Sequence, residues 1–150
     1  MSEVFSLVTE VPPLQLGRSE HEMILDAMVP GANRALGLFL TALRFKLSQP
    51  GSGRLYDSKR GSGKHRASKP GEPPAPDRGD WGGYRSSWSG QVRREFGSIT
   101  LSFSSTMWLI FGRRLELGGW GGGVYIAPRP HVSPTMDDTL PAMYKLLENG

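Results

Sequence analysis

The sequence predicts an α+β domain: a small antiparallel sheet packed against N-terminal helices and a C-terminal helix, with an extended Pro/Gly-rich basic arm. Three observations predict it. Residues 32–47 repeat apolar side chains at the three-and-four spacing of a buried helical stripe. Ile99, Leu101 and Phe103 alternate with Thr100, Ser102 and Ser104, which is the period of a half-buried strand. Between them lies a run of Pro and Gly that fits neither element.

In order, Glu3 to Val8 alternates enough for a short strand, which Pro12 and Pro13 end. Ser19 and Glu22 form a capping-box pattern. Met23, Ile24, Ala27 and Met28 follow on one helical face, and Pro30-Gly31 is expected to break or kink the helix. It resumes through Ala32, Ala35, Leu36, Phe39, Ala42, Leu43 and Leu47, with Gly37 as an expected point of close backbone packing. Residues 49–63 read as a loop or hairpin tip, in which Leu55 and Tyr56 face a return strand. Gly61-Ser62-Gly63-Lys64 is not a phosphate loop: Ser58 stands where the template needs Gly, and His65 where it needs Ser or Thr.

Residues 65–88 form the arm, and the insertion as a whole spans about 49–83 of a single domain over 1–150. Pro70, Pro73, Pro74 and Pro76 each lack a donor and favour extended backbone. The run then ends in Asp77, Trp81, Tyr84 and Trp88, aromatics whose value lies in buried area. The expectation is an arm that docks on a neighbour. Gly97-Ser98 is a turn between a strand at about 84–96 and the 99–103 strand. Met107 to Phe111 is open between buried strand and short helix. Arg113–Leu117 finishes that helix, Gly118–Gly123 is a loop, and Val124–Ile126 a short strand. Ser133 caps and Pro134 begins a terminal helix with an apolar face of Leu140, Met143, Tyr144 and Leu147, kinked or begun at Pro141.

Composition bounds the function. The net charge of +4 is uneven, because residues 52–94 hold ten Lys/Arg against four Asp/Glu, a net of +6. A basic arm meets either phosphates or an acidic protein surface. The chain has no cysteine, so disulfides and thiolate metal sites are excluded. No run reaches the ~18 apolar residues of a membrane span, and the first residues are not a secretory signal. His21, His65 and His131 show no ligand spacing, and no Ser sits in a nucleophile elbow. No enzyme, cofactor or metal is expected.

Arg66-Ala67-Ser68-Lys69-Pro70-Gly71-Glu72-Pro73-Pro74-Ala75, then Asp77-Arg78-Gly79 and Ser86-Ser87-Trp88, resembles the RASxPGEPPAxDTGxLxxSW pattern of small tailed-phage tail-completion or head–tail joining proteins. Two further blocks are similar: Trp108–Gly112 with Leu115-Glu116-Leu117-Gly118-Gly119, and Ala127-Pro128-Arg129-Pro130-His131-Val132 with Pro134 beyond. The blocks agree in order and spacing over about residues 64–148. Departures are Arg78 for the usual Thr, the intervening Asp80–Gly83, and Glu116-Leu117-Gly118-Gly119 in place of the family's Glu-Phe-Gly-Thr.

The resemblance implies a structural virion protein of the phage neck, assembled in the bacterial cytoplasm. It would form a ring, six copies by the tail's symmetry, at the head-proximal end of the tail tube. The partners it implies are a second copy, the tail terminator, the tail tube and the head connector or stopper, with no membrane. The expected arm interface is Arg66, Lys69, Pro70, Pro73, Pro74, Asp77, Trp81, Tyr84, Arg85 and Trp88. The expected second surface is Arg113, Glu116, Trp120 and Arg129. The competing readings are a tail terminator or head-closure protein of the same neck, and a basic nucleic-acid-binding module touching packaged DNA without sequence preference.

Overall fold

The computed structural model describes residues 3–10, 18–57, 64–74, 80–121 and 123–149. A three-stranded antiparallel sheet has the order β1-β5-β4, formed by β1 (Glu3–Glu10), β4 (Trp88–Glu95) and β5 (Ser98–Ser105). The long helix α1 (Arg18–Lys46) covers one face of it, and α4 (Val132–Glu148) packs on α1. Two ribbons complete the fold: β2 (Leu55–Asp57) with β3 (Lys64–Arg66), and β6 (Gly119–Gly121) with β7 (Val124–Ile126). Between these lie α2 (Asp80–Ser87), a π-helical turn at Trp108–Gly112 and α3 (Arg113–Leu117). The fold is α+β, as the patterning predicts.

The sheet follows the two-residue period. Phe5 and Leu7 pair with Phe103 and Leu101 on the inner face, and the register continues from Thr9 to Ile99. Gly90 and Val92 meet Phe103 and Leu101 from the other side. Phe5, Phe39 and Phe103 form the aromatic centre, with ring centroids 4.4 to 5.4 Å apart. The predicted turn at Gly97-Ser98 is where β4 meets β5, and the Gly97 N–H is taken by the Glu22 carboxylate at 2.9 Å.

Four expectations are corrected. First, Pro30-Gly31 does not break the helix: α1 runs unbroken for 29 residues. The roughly 3 kcal/mol that an interior Pro costs is offset because Leu25, Ala32, Ala35 and Phe39 on both sides of it are all buried. Second, close packing is at Gly31, not Gly37. A Cβ on Gly31 would lie 2.0 Å from the Leu146 carbonyl oxygen of α4, whereas one on Gly37 meets nothing within 4 Å. Third, Tyr84 lies in α2 and the strand begins at Trp88. The four-residue spacing of Tyr84 and Trp88 sends both rings inward, 6.0 Å apart. Fourth, the Gly118–Gly123 region is a hairpin, not a loop, in which Trp120 pairs with Tyr125.

Glu22 does not close a capping box; it binds Arg94, which also reaches Asp26 at 2.9 Å and ties α1 to β4. The Arg94 guanidinium is the main reason the Glu22 carboxyl is held below its usual range. By length and mean hydropathy, Glu20–Lys46 also passes for a helix able to cross a membrane, although it holds no continuous apolar run of that length. Core helices pass the same test, and here Leu25, Phe39 and Leu43 fill the interior.

Candidate protein interface

The second and third sequence blocks of the resemblance meet in one buried cluster, which Tyr84 joins from α2. Glu116, on α3, is 6% exposed and lies under the first turn of α4. Its carboxylate accepts the N–H groups of His131 at 2.7 Å, Val132 at 3.0 Å and Ser133 at 2.9 Å. These are donors that a helix start leaves without intrahelical partners. Ser133 therefore does not cap α4; a charge from another element does, helped by the helix dipole. Burial works against the Glu116 charge, but the His131 ring and the three N–H groups outweigh it and hold the carboxyl down to about 2.

His131 is fully buried. Its Nδ1 faces two acceptors, the Arg129 carbonyl at 2.8 Å and Glu116 Oε2 at 3.0 Å, so Nδ1 carries a proton. Its Nε2 is 2.6 Å from the Tyr84 hydroxyl, with which it shares a hydrogen bond. Burial, with the Glu116 charge adding to it, pushes the Tyr84 phenol far above its ordinary range. Each polar atom of Glu116 and His131 is engaged, so the cluster fastens α3, α2 and the start of α4 together. Among the described residues no group of three or more His, Asp and Glu could hold a metal.

The arm is strapped to the same cluster. Arg129 donates from Nε to the Ser68 hydroxyl at 2.9 Å and from Nη2 to the Ser68 carbonyl at 3.2 Å. The Gly71 N–H meets the Pro128 carbonyl at 2.9 Å, and the Gly53 N–H meets the Ala67 carbonyl at 2.7 Å. Gly51 is required where the strap crosses, since a Cβ there would lie 2.3 Å from the Ala67 carbonyl oxygen. The Glu72 carboxylate gathers the Ser52 hydroxyl and the Ser52 and Lys69 N–H groups. The Ser52 hydroxyl leads in holding that carboxyl down to about 2. Replacing Arg129 by Ala is expected to raise amide hydrogen exchange at residues 67–71 at least tenfold while α1 stays protected; equal protection in both chains would refute the strap.

The expected interface residues are therefore divided. Tyr84 and Trp88, both 1% exposed, are core residues and not docking anchors. Trp88 lies edge-on to Trp108, 5.9 Å away. Their large apolar area is already buried within their own chain. Glu116 and Arg129 are fastenings and not surface partners. Pro74 is buried and Pro73 half-buried. Arg66, Lys69, Pro70 and Arg85 are exposed, Arg66 leaning on the Gly53 carbonyl and Arg85 on the Ser48 hydroxyl, both at 2.9 Å. Asp77 lies outside the described residues; Trp81 falls in α2, and its side chain is likewise outside what is described. Arg113 is exposed, and Trp120 is exposed to 77%.

What remains accessible is the β6–β7 hairpin. Trp120 and Tyr125 stand as an exposed cross-strand pair with ring centroids 5.5 Å apart, beside exposed Leu117. A two-stranded ribbon is marginal in water by itself. Sequence reasoning missed Tyr125 and Leu117 because a glycine-rich run hides strand pairing; the signal was one aromatic on each side of Gly121–Gly123. No family model, no curated protein and no solved structure matches this chain.

Proposed function

We propose that this chain is a structural protein of a tailed-phage neck, assembling as a ring at the head-proximal end of the tail tube and readying it for the head. The observation that carries the reading is that the three resembling blocks meet: Ser68 of the first is held by Arg129 of the third, and Glu116 of the second holds His131 of the third. A pattern of prolines, glycines and one acid then has a shared physical task. It holds the strap and the aromatic hairpin rigid against the helix pair. Rigid presentation lowers the entropy lost on docking, which suits a part added once to a large assembly. The element offered to neighbours in this reading is the Trp120–Tyr125 hairpin, in place of the strapped arm.

Electron microscopy of particles made without this protein is the test. The expected result is filled heads and finished tails that stay apart; normal joining would remove the reading. Exposed Arg66, Lys69 and Arg85 favour one second reading, backbone contact with duplex DNA. In that case binding weakens steeply with salt, with a log–log slope of about −0.9 per phosphate neutralised; a flat salt response rejects it.

A further inference from the structure

The self-assembly in this reading requires two different complementary surfaces on one chain, because a head-to-tail contact repeated around an axis is heterologous. The fold carries two such surfaces at its opposite poles. One is the hairpin pole: Gly118 leaves α3 against Pro128, next to the N-terminal end of α4, which Lys46 and Asp138 tie to the C-terminal end of α1. The other is at the N-terminal half of α1, where Arg94 and Gly97 of the β4–β5 turn meet Glu22 and Asp26. Residue 24 lies 22 residues before residue 46, so the poles are about 33 Å apart along the helix.

The far pole is also apolar at its tip. Met23 and Phe96 are each 68% exposed and Ile24 is exposed beside them. Exposed large apolar side chains on the helix and on the adjoining turn exceed the scattered exposure of an ordinary surface. The charges are complementary. At the far pole Glu20, Glu22, Asp26 and Glu95 face Arg93 and Arg94, four carboxylates against two guanidiniums, a net of −2. Around the base of the hairpin, Arg66, Lys69 and Arg113 are exposed and Arg114 and Arg129 half-buried, against Glu72 and Glu116, five cations to two carboxylates, a net of +3. No charge lies within Gly118–Ile126 itself, so the hairpin tip calls for an apolar seat with an acidic rim. The far pole of a second copy offers that seat.

We infer that the Trp120–Tyr125 hairpin of one copy docks on the Met23–Ile24–Phe96 surface of the next copy, with the cationic collar of the first set against Glu20, Asp26 and Glu95 of the second. This rests on the ring-forming reading above. Opposite poles of one subunit joined in this way give a polar, repeating contact. It closes into a ring when the rotation per copy divides a full turn.

The absence of native cysteine allows a clean test. Single-cysteine chains Trp120→Cys and Met23→Cys are mixed under mild oxidation. The expected result is a cross-linked pair from the mixture, none from either alone, and a ladder of oligomers from the double variant. Trp120→Ala is expected to weaken self-association at least about 30-fold in sedimentation, with its far-UV circular dichroism unchanged. Reversing Glu20 and Asp26 to Lys should weaken it too, and reversing Lys69 and Arg113 to Glu in the partner should restore it. Self-linking by Trp120→Cys alone, or an oligomer without the mixed cross-link, overturns the inference while leaving a ring intact. A chain that sediments as a monomer at its highest soluble concentration overturns the inference and the ring together. If the mixed cross-link forms but particles without the protein still join, the inference stands and the neck reading falls.

Discussion

Glu116→Ala is expected to lose about 3 kcal/mol of folding stability, because it leaves buried backbone donors without a partner. The substitution strands the buried N–H groups of His131 and Val132 and frees that of Ser133, while the His131 Nδ1 keeps the Arg129 carbonyl. Each buried donor left unpaired costs about 1–3 kcal/mol, although neighbours relax and the costs do not add. Glu116→Gln keeps the shape but sets an amide NH2 near donors, so about 2 kcal/mol is expected. Urea melts followed by circular dichroism decide the matter. A loss under about 0.5 kcal/mol, the level of an ordinary surface change, would mean the carboxylate is not the fastening.

The same residue sets an acid response. The unfolded carboxyl takes up its proton around 4.5 and the folded one around 2. The unfolded chain therefore binds the proton first as pH falls. The stability Glu116 contributes is fully present above about 4.5 and is lost between there and about 2. At 1.36 kcal/mol per pKa unit it amounts to about 3 kcal/mol. Glu22 and Glu72 are also held below their usual values and act in the same direction. The diagnostic quantity is thus the difference between the native chain and Glu116→Gln, which should shrink as pH falls through this window. A difference independent of pH would contradict the charged cap.

Gly31→Ala is the second large effect. An added methyl would sit 2.0 Å from the Leu146 carbonyl oxygen and 3.3 Å from the Leu147 Cα. Both obstacles are backbone, so no side chain can swing aside. The helices must part, opening the seam that Leu25, Leu43, Met143 and Leu147 fill. The expected loss is about 3 kcal/mol or more, at the upper end for overpacking, although Ala is the better helix former by about 1 kcal/mol. For a domain of this size that lowers the melting temperature by roughly 6–12 °C. Gly37→Ala is the control: the site is open, so the same propensity gain should leave stability equal or higher. If both variants stabilise the chain, the close crossing of α1 and α4 is refuted.

The residues that were legible are those whose local pattern and burial agree. The Ile99–Phe103 alternation reads as a half-buried strand because successive side chains face opposite sides of a sheet. The 32–47 stripe reads as a helix for the same kind of reason. The turn at Gly97-Ser98 and the Leu55–Tyr56 pairing with a return strand were likewise local. Lean apolar content with abundant Pro and Gly pointed to the strap's existence but not to where it lies.

The amino-acid order by itself determined the α+β class, the core helix, the central strand, the basic character of residues 52–94 and the exposed place of Trp120. Only the tertiary structure decided that α1 passes through Pro30, that Tyr84 and Trp88 turn inward, and that Glu116 caps a helix 15 residues later. The physical reason is range. Periodicity records which way a side chain faces along its own element. Pairing a buried carboxylate with distant N–H groups, or clearing a Cβ's space for a crossing backbone, depends on atoms that approach only when the chain closes on itself.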